Sequence, residues 1–448
     1  MSRMTIGLLS EEAALSTAEA DGNPAVVNEI AQGDAVVSDE LATAATEADE
    51  LQGAIDEGAA SVEELSEGVD AIETEIADNG GLDQPAMESY MRQLKSIARR
   101  NTLPIGRRQV SLESHASKVT RLRASKLALE DWKESLSKAW EAIKAAFARA
   151  KEIVVNFFKA LFDRAERVKQ KAVKLKAAAT AAKGSADDKA KVKLGSLFSN
   201  LAKHMQVNGK MISGDEVLSQ FKATSKLTDE MAATIIEKGA AIVNEIVDDF
   251  GNFVSKGEKP DVGNLVSPLQ KLAVFAPKPV KGDAPEGFVK KTSLGLMGDK
   301  VFTFILPKEG ATAEQVRAGI GRISIGIEDL EGRQEAVEKE TDPMSVATVI
   351  ALADEVIRSM DNLAKMSKVQ PSTVGKVFDS VLAKIKSFKD EKAAENASLA
   401  SAIAAMSTRL IGPAISAVRT YTVNVSDAAL SYAAASLKTL KGGEAAAA

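Results

Sequence analysis

Several residue types in this chain could do chemistry, but few stand in the arrangements that chemistry requires. His115 and His204 are the only histidines, far apart and with no His-Glu-x-x-His pattern around either, so they offer neither a metal site nor a Ser-His triad. Both read as ordinary solvent or core histidines. There is no cysteine, which excludes a thiolate nucleophile, a thiolate metal site and a disulfide. It also fits a reducing compartment. Gly209-Lys210 and Gly375-Lys376 lack the upstream glycine and the following hydroxyl of a phosphate-binding loop. Carboxylates crowd the first 90 residues, but a flexible acidic segment would hold no pair of them at catalytic spacing. The expectation is therefore no enzyme, no cofactor and no bound metal. Two chemistries remain: hydrolysis of the chain itself, and phosphate binding by lysine and arginine.

The first is suggested by a junction in charge. Residues 1–90 hold 22 Asp and Glu against one basic residue, Arg3, whereas residues 91–210 hold 28 Lys and Arg against 10 acids. The stretch QVSLESHASK, Gln109 to Lys118, sits at this change. A cut after Glu113 would divide a chain of net charge −6 into a leader of −16 and a body of +10. Such a cut would create a polycation able to bind DNA or acidic partners. The chain has four Ser-x-Glu triplets, ending at Glu12, Glu40, Glu63 and Glu113, and all lie within the first 113 residues. Roughly one would be expected there by chance.

The second is suggested by the stretch from Arg164 to Lys193, the most basic in the chain. Arg164, Arg167, Lys169, Lys171, Lys174, Lys176, Lys183, Lys189, Lys191 and Lys193 could bind phosphates on an Ala-rich helix, non-specifically and by counterion release. The alternative is a solvated lysine face, although the local excess is too one-sided to be paired within the segment. With only 19 aromatics in 448 residues, stacking on single strands is not supported. Any contact with double-stranded DNA should go to the backbone.

The elements that would position these groups are mainly helical. Apolar residues at Leu136, Trp140, Ile143, Phe147, Ala150, Val154, Phe157 and Leu161 step by fours and threes, the stripe of a helix packed on another helix. The aromatic face and lysine-rich back of residues 132–162 would also suit an anionic membrane surface. Gly184 reads as a break and Ser185 as a new N-cap. Ser213 and Glu216 read as a capping box opening a helix through Leu227, Met231, Ile235, Ile242, Ile246 and Phe250, which Gly239 weakens. Residues 279–330 change period: FVKKTSL and KVFTFIL flank a turn, a short helix covers Glu314 to Ala318, and RISIGI forms a third strand, a ββαβ unit near 286–330. Helices resume with Ile350, Val356, Met360 and Leu363, and a separate one is expected after Pro371 through Val374, Val377, Val381 and Ile385.

The predicted fold is thus mainly α: an elongated, coiled-coil-like helical bundle with a small ββαβ insertion and a weakly structured acidic N-terminal leader. The leader spans 1–113, with Gly22, Gly33, Gly53, Gly58, Gly80 and Gly81 as breaks. A basic helical segment spans 114–183 and a bundle segment 185–278; the β unit occupies 279–330, C-terminal helices 334–440 and a frayed tail 441–448. The start, MSRMTIGLLSEEAALS, is too little for a signal peptide, and no apolar run is expected to reach membrane-spanning length.

An acidic leader with Ser-x-Glu triplets on a Cys-free, Lys- and Ala-rich helical body resembles the internal head proteins of large tailed bacteriophages, especially the phiKZ-like ones. The resemblance implies a virion structural protein in the capsid interior, present in host cytoplasm before assembly. It also implies cleavage by a prohead protease, with Ser111 as recognition residue, Leu112 between, Glu113 before the scissile bond and Ser114 opening the mature chain. Glu12, Glu40 and Glu63 would be secondary cuts. Implied partners are the protease, capsid or other internal head proteins, DNA and further copies of the chain. Two other readings stand beside it: a membrane-active or partner-binding helical protein masked by its leader, and an unprocessed cytoplasmic coiled-coil scaffold.

Overall fold

In the computed structural model, the stripe from Leu136 to Leu161 lies on one helix, α3 (Lys118–Ala181). Described are residues 27, 30, 38–100, 118–182, 191–194, 198–239, 241–248, 278–280, 284–386 and 393–439. At 64 residues, α3 is about 96 Å long. Every stripe residue is buried, and the three-four alternation continues through Ala165, Val168, Ala172, Leu175 and Ala179. Ala128, Ser135, Ala139 and Phe158 are buried as well, so α3 is covered on more than one side.

One cover comes from the acidic segment. Residues 38–100 form α1 (Ser38–Asn79) and α2 (Gln84–Arg100). α1 runs antiparallel to α3: Gly58 faces Ile143, Gly68 faces Trp132, and Glu73 pairs with Lys133 at 2.8 Å. Its Ile55, Val62, Leu65, Val69 and Ile72 are all buried, each burial favourable by roughly 1.5–3 kcal/mol. Gly53 and Gly58, expected as breaks, lie inside α1. Packing overrides their low helix propensity, and at Gly58 the missing side chain leaves room for Ile143. Gly80 and Gly81, at φ +72° and +124°, do end the helix. The turn they make is held by Leu82 N–H donating to Ser125 Oγ at 2.7 Å. Beyond it, the Tyr90 ring of α2 meets Trp132 edge-on, centroids 6.1 Å apart.

The other cover is α7 (Val346–Lys386), also antiparallel to α3. It is continuous through Pro371, where the sequence predicts a boundary. An interior proline costs on the order of 3 kcal/mol. Leu363 and Met360 before it, and Val377, Phe378 and Val381 after it, are all buried, and that shared burial offsets the cost. Phe378 packs on Phe147 with centroids 4.8 Å apart.

Between these long helices the chain makes β1 (Val192–Lys193), α4 (Phe198–His204), a tight hairpin of β2 (Gln206–Val207) and β3 (Lys210–Met211), and α5 (Glu216–Thr234). The N-cap of α5 is Asp215, and no side chain closes a capping box there. Asp215 instead accepts from Ser345 N–H at 2.9 Å, tying the start of α5 to the start of α7. A π-helical turn, Ile235–Gly239, interrupts the helix at the predicted weak point, and residues 241–248 are again helical.

The ββαβ unit forms as read, from β5 (Phe288–Thr292), β6 (Lys300–Pro307), α6 (Ala313–Gly319) and β7 (Ser324–Asp329). An additional edge strand, β4 (Lys278–Val280), gives the antiparallel order β4-β5-β6-β7. The unit docks through its turns: Asp299 accepts from Gly209 N–H and Gln206 Nε2, and Tyr421 donates to the Met297 carbonyl at 2.6 Å. β8 (Glu340–Thr341) pairs with β1.

The C-terminal helices α8 (Ala393–Ile411) and α9 (Pro413–Leu437) close the core. Residues 400–437 are long and apolar enough to cross a membrane by composition, contrary to the reading that no run reaches that length, but 81% of the most apolar window is buried inside the fold. Hydroxyls of Ser407, Thr422, Ser426 and Ser436 donate to carbonyls four residues earlier, so these small side chains need no outside partner. Arg419 of α9 is fully buried and pairs with Asp229 of α5 at 3.3 Å.

A Cβ at Gly68 would lie 1.9 Å from the Trp132 ring, whereas one at Gly53 meets nothing within 4 Å. Gly68→Ala should therefore destabilise the protein by about 1–3 kcal/mol. Gly53→Ala should stabilise it by roughly 0.5–1 kcal/mol. Denaturant midpoints of the two variants would test this pair, and equal shifts would rule out the Trp132 contact as the cause.

Candidate functional surfaces

The processing triplets fall in different surroundings. Ser111, Leu112, Glu113 and Ser114 lie outside the described residues, in sequence between Arg100 at the end of α2 and Lys118 at the start of α3. Glu12 also lies outside them. Glu40 is in the first turn of α1. Glu63 is in the middle of α1 with its side chain exposed, but the other two residues of its triplet, Ser61 and Val62, are buried. Ser61 Oγ donates to the Glu57 carbonyl at 2.8 Å, within the helix.

The basic residues are met by acids distant in sequence. Lys151, Lys169 and Lys176 of α3 pair with Asp379, Asp361 and Asp354 of α7 at 2.7, 2.8 and 2.6 Å. Steps of 18 and 7 residues along α3 are matched by the same steps backwards along α7, as an antiparallel pair with whole-turn spacing requires. The hydrogen bond to Asp361 raises the Lys169 pKa, with burial opposing it. Lys171 pairs with Asp427 of α9 at 3.0 Å, and Arg164 Nη2 donates to Asn424 Oδ1 at 2.8 Å. Burial lowers the Arg164 pKa and Asp427 partly restores it. Lys191 pairs with Asp342. Arg167 and Lys174 on α3 and Lys193 on β1 are exposed, and Lys193 stands opposite Glu340 across the β1–β8 pair. Lys183, Lys189, Gly184 and Ser185 lie outside the described residues.

Much of the charge excess in this stretch is therefore met by aspartates on α7 and α9. Reading residues 164–193 alone misses them, although Asp354, Asp361 and Asp379 share the whole-turn spacing of the lysines they meet. The lysine-rich back of residues 132–162 likewise has partners, such as Glu73 for Lys133. The aromatic stripe that could have faced a membrane is covered by α1 and α7.

His115 lies outside the described residues. His204, in the last turn of α4, is largely buried with Nδ1 unpartnered. Burial pushes its pKa down to about 4, aided by Lys300, Lys203, Arg164 and Arg333. Among the described residues no group of three histidines and carboxylates is arranged to hold a metal ion.

Residues 36–435 match the family of phiKZ-like phage internal head proteins. The match runs from the start of α1 to the end of α9, so it includes the acidic helices as well as the basic body and the β unit. No curated protein and no solved structure matches the chain.

The His204 pKa carries a sign. The folded value of about 4 lies below the ordinary 6.5, so the unfolded chain binds the extra proton between those values. Stability should fall as pH drops from 6.5 to 4, by up to about 3 kcal/mol from this group. Denaturant midpoints across that window should show the slope, and His204→Gln should flatten it. An unchanged slope in the variant would clear His204 of the effect.

Proposed function

The chain belongs to the phiKZ-like phage internal head proteins, virion structural proteins of the capsid interior, and from that membership we propose that it is a processed precursor whose mature part lies against DNA. The acidic leader co-assembles into the prohead, a prohead protease cuts after Glu113, and the chain from Ser114 remains with capsid or other internal head proteins. The observation that carries the processing step is the position of one Ser-x-Glu triplet. Ser111-Leu112-Glu113 falls in the interval between α2 and α3, residues 101–117, a short way beyond the reversal of charge that begins at Arg92. Contact with DNA would be electrostatic and independent of sequence, through Arg167, Lys174 and Lys193, which are exposed, together with the net charge of +10 carried by residues 114–448.

Mass spectrometry of protein from purified particles should find an N-terminus at Ser114, and Glu113→Ala should leave the leader attached. An intact Met1 or Ser2 terminus would defeat the reading. The DNA contact has its own test in residues 114–448 prepared from cleaved protein. Replacing Asp354, Asp361 and Asp379 together by asparagine removes the partners of three lysines, and the salt dependence of DNA binding should steepen by about 3 in log-log slope. No change in slope would mean that this face is not in contact with DNA.

A further inference from the structure

We infer that hydrolysis after Glu113 and departure of the acidic leader are separate events, and that the body becomes a polycation only when α1 undocks from α3 and α8. The inference rests on the processing reading above and adds an order to it. A cut within residues 101–117 breaks the link between α2 and α3 but none of the contacts among the described residues that hold α1 and α2 in place.

Those contacts extend along the helix on both sides. Ile55, Val62, Leu65, Val69 and Ile72 are buried, and the Trp132 ring lies on the α1 backbone at Gly68 and against Tyr90 of α2. Polar contacts fix the register. Arg409 of α8 pairs with Asp56, Gln52 Nε2 donates to the Ala405 carbonyl at 3.3 Å, and Lys133 pairs with Glu73 at 2.8 Å. Nearer the N-terminus, Ile30 is buried, and its carbonyl accepts from Ser431 Oγ of α9 at 3.3 Å. Apolar burial of this kind holds separate chains together as it holds a single one. While the leader is docked, the cut protein keeps the net charge of −6. The values of −16 and +10 belong to the separated parts.

The same packing gives Glu63 a distinct role. Proteolysis within a helix tracks the population of locally opened chain. Ser61 and Val62 are buried, so opening this triplet requires α1 to leave α3. A cut after Glu63 therefore follows undocking. It divides the apolar row between Val62 and Leu65, leaving two halves that each bind less well, which makes departure irreversible.

The test uses the full chain with a site-specific protease sequence placed within residues 101–117. After cleavage and gel filtration at moderate salt, the two fragments should elute together, and retention on DNA should match that of the uncut chain. A glutamate-specific protease should cut after Glu63 at least tenfold more slowly in this complex than in urea-unfolded protein. Gly68→Ala should raise that rate and promote release of the acidic fragment. If this variant does not fold, a urea titration of the cut wild-type complex gives the same information, with release of the acidic fragment coinciding with exposure of Glu63. An acidic fragment that elutes alone after the cut, or DNA retention that rises on cutting alone, would overturn the inference. Failure of the processing reading is distinguishable: virions would hold the uncut chain while the in vitro complex behaved as described.

Discussion

The Trp132 ring lies on the backbone of α1 at Gly68, and this contact represents the constraint on which the fold depends. A helix of 64 residues with apolar rows on more than one side cannot hold its shape in water without cover. α3 is covered by α1 from the N-terminal part of the chain and by α7 from the C-terminal part, both antiparallel to it. The chain therefore folds inward from both ends on its own second quarter. α8 and α9 then fill the space these long helices leave, and the β unit is fastened to them by its turns. Gly321, just before β7, accepts from Arg409, the residue that also pairs with Asp56 of α1. The insertion and the acidic helix thus share one arginine.

Charge follows from this arrangement more than from position in the sequence. The lysines of α3 and the aspartates of α7 meet because an antiparallel helix pair brings equal steps into register. Such exposed pairs contribute little stability each, roughly 0.2–1 kcal/mol, and more when their geometry is fixed by packing around them. Their larger effect is on what the surface offers to others. A lysine already beside an aspartate releases fewer counterions from DNA than a free one. Arg419 and Asp229 represent the opposite case: with the guanidinium fully buried, the pair adds little net stability but costs several kcal/mol to break singly, so it specifies how α9 sits on α5.

The parts of this fold legible in the sequence are those whose period is undisturbed. The α3 stripe, the β5–β6 hairpin, the third strand and the weak point at Gly239 can all be read from spacing and turn residues. Three features resist that reading, each for a physical reason. Gly53 and Gly58 look like helix breaks because propensity is local, while the burial that overrides it comes from α3. Pro371 looks like a boundary for the same reason, with the compensating contacts lying on both sides of it. α9 has only a narrow polar strip, Thr420, Asn424 and Asp427, and is otherwise rich in alanine, serine and threonine and buried, so a search for amphipathic period passes over it. The triplet ending at Glu63 is plain in the sequence, but its protection is not, since it depends on two buried neighbours.

The acidity of the N-terminal segment and its place in the core are compatible because they occupy different sides of α1. Ile55, Val62, Leu65, Val69 and Ile72 step by sevens, threes and fours towards α3, and the neighbouring Glu63, Glu67 and Asp70 face water. Charge and apolar cover are thereby carried by one helix and cannot be withdrawn separately. Taking α1 away removes negative charge from the protein and in the same act uncovers Trp132, Leu136 and Ile143. A phosphate backbone can neutralise the lysines that remain, but it has no apolar surface to lay along α3. If α1 left, that face would need an apolar cover such as further helix from this chain or a neighbouring protein. The electrostatic and the apolar consequences that loss of α1 would have therefore call for different partners.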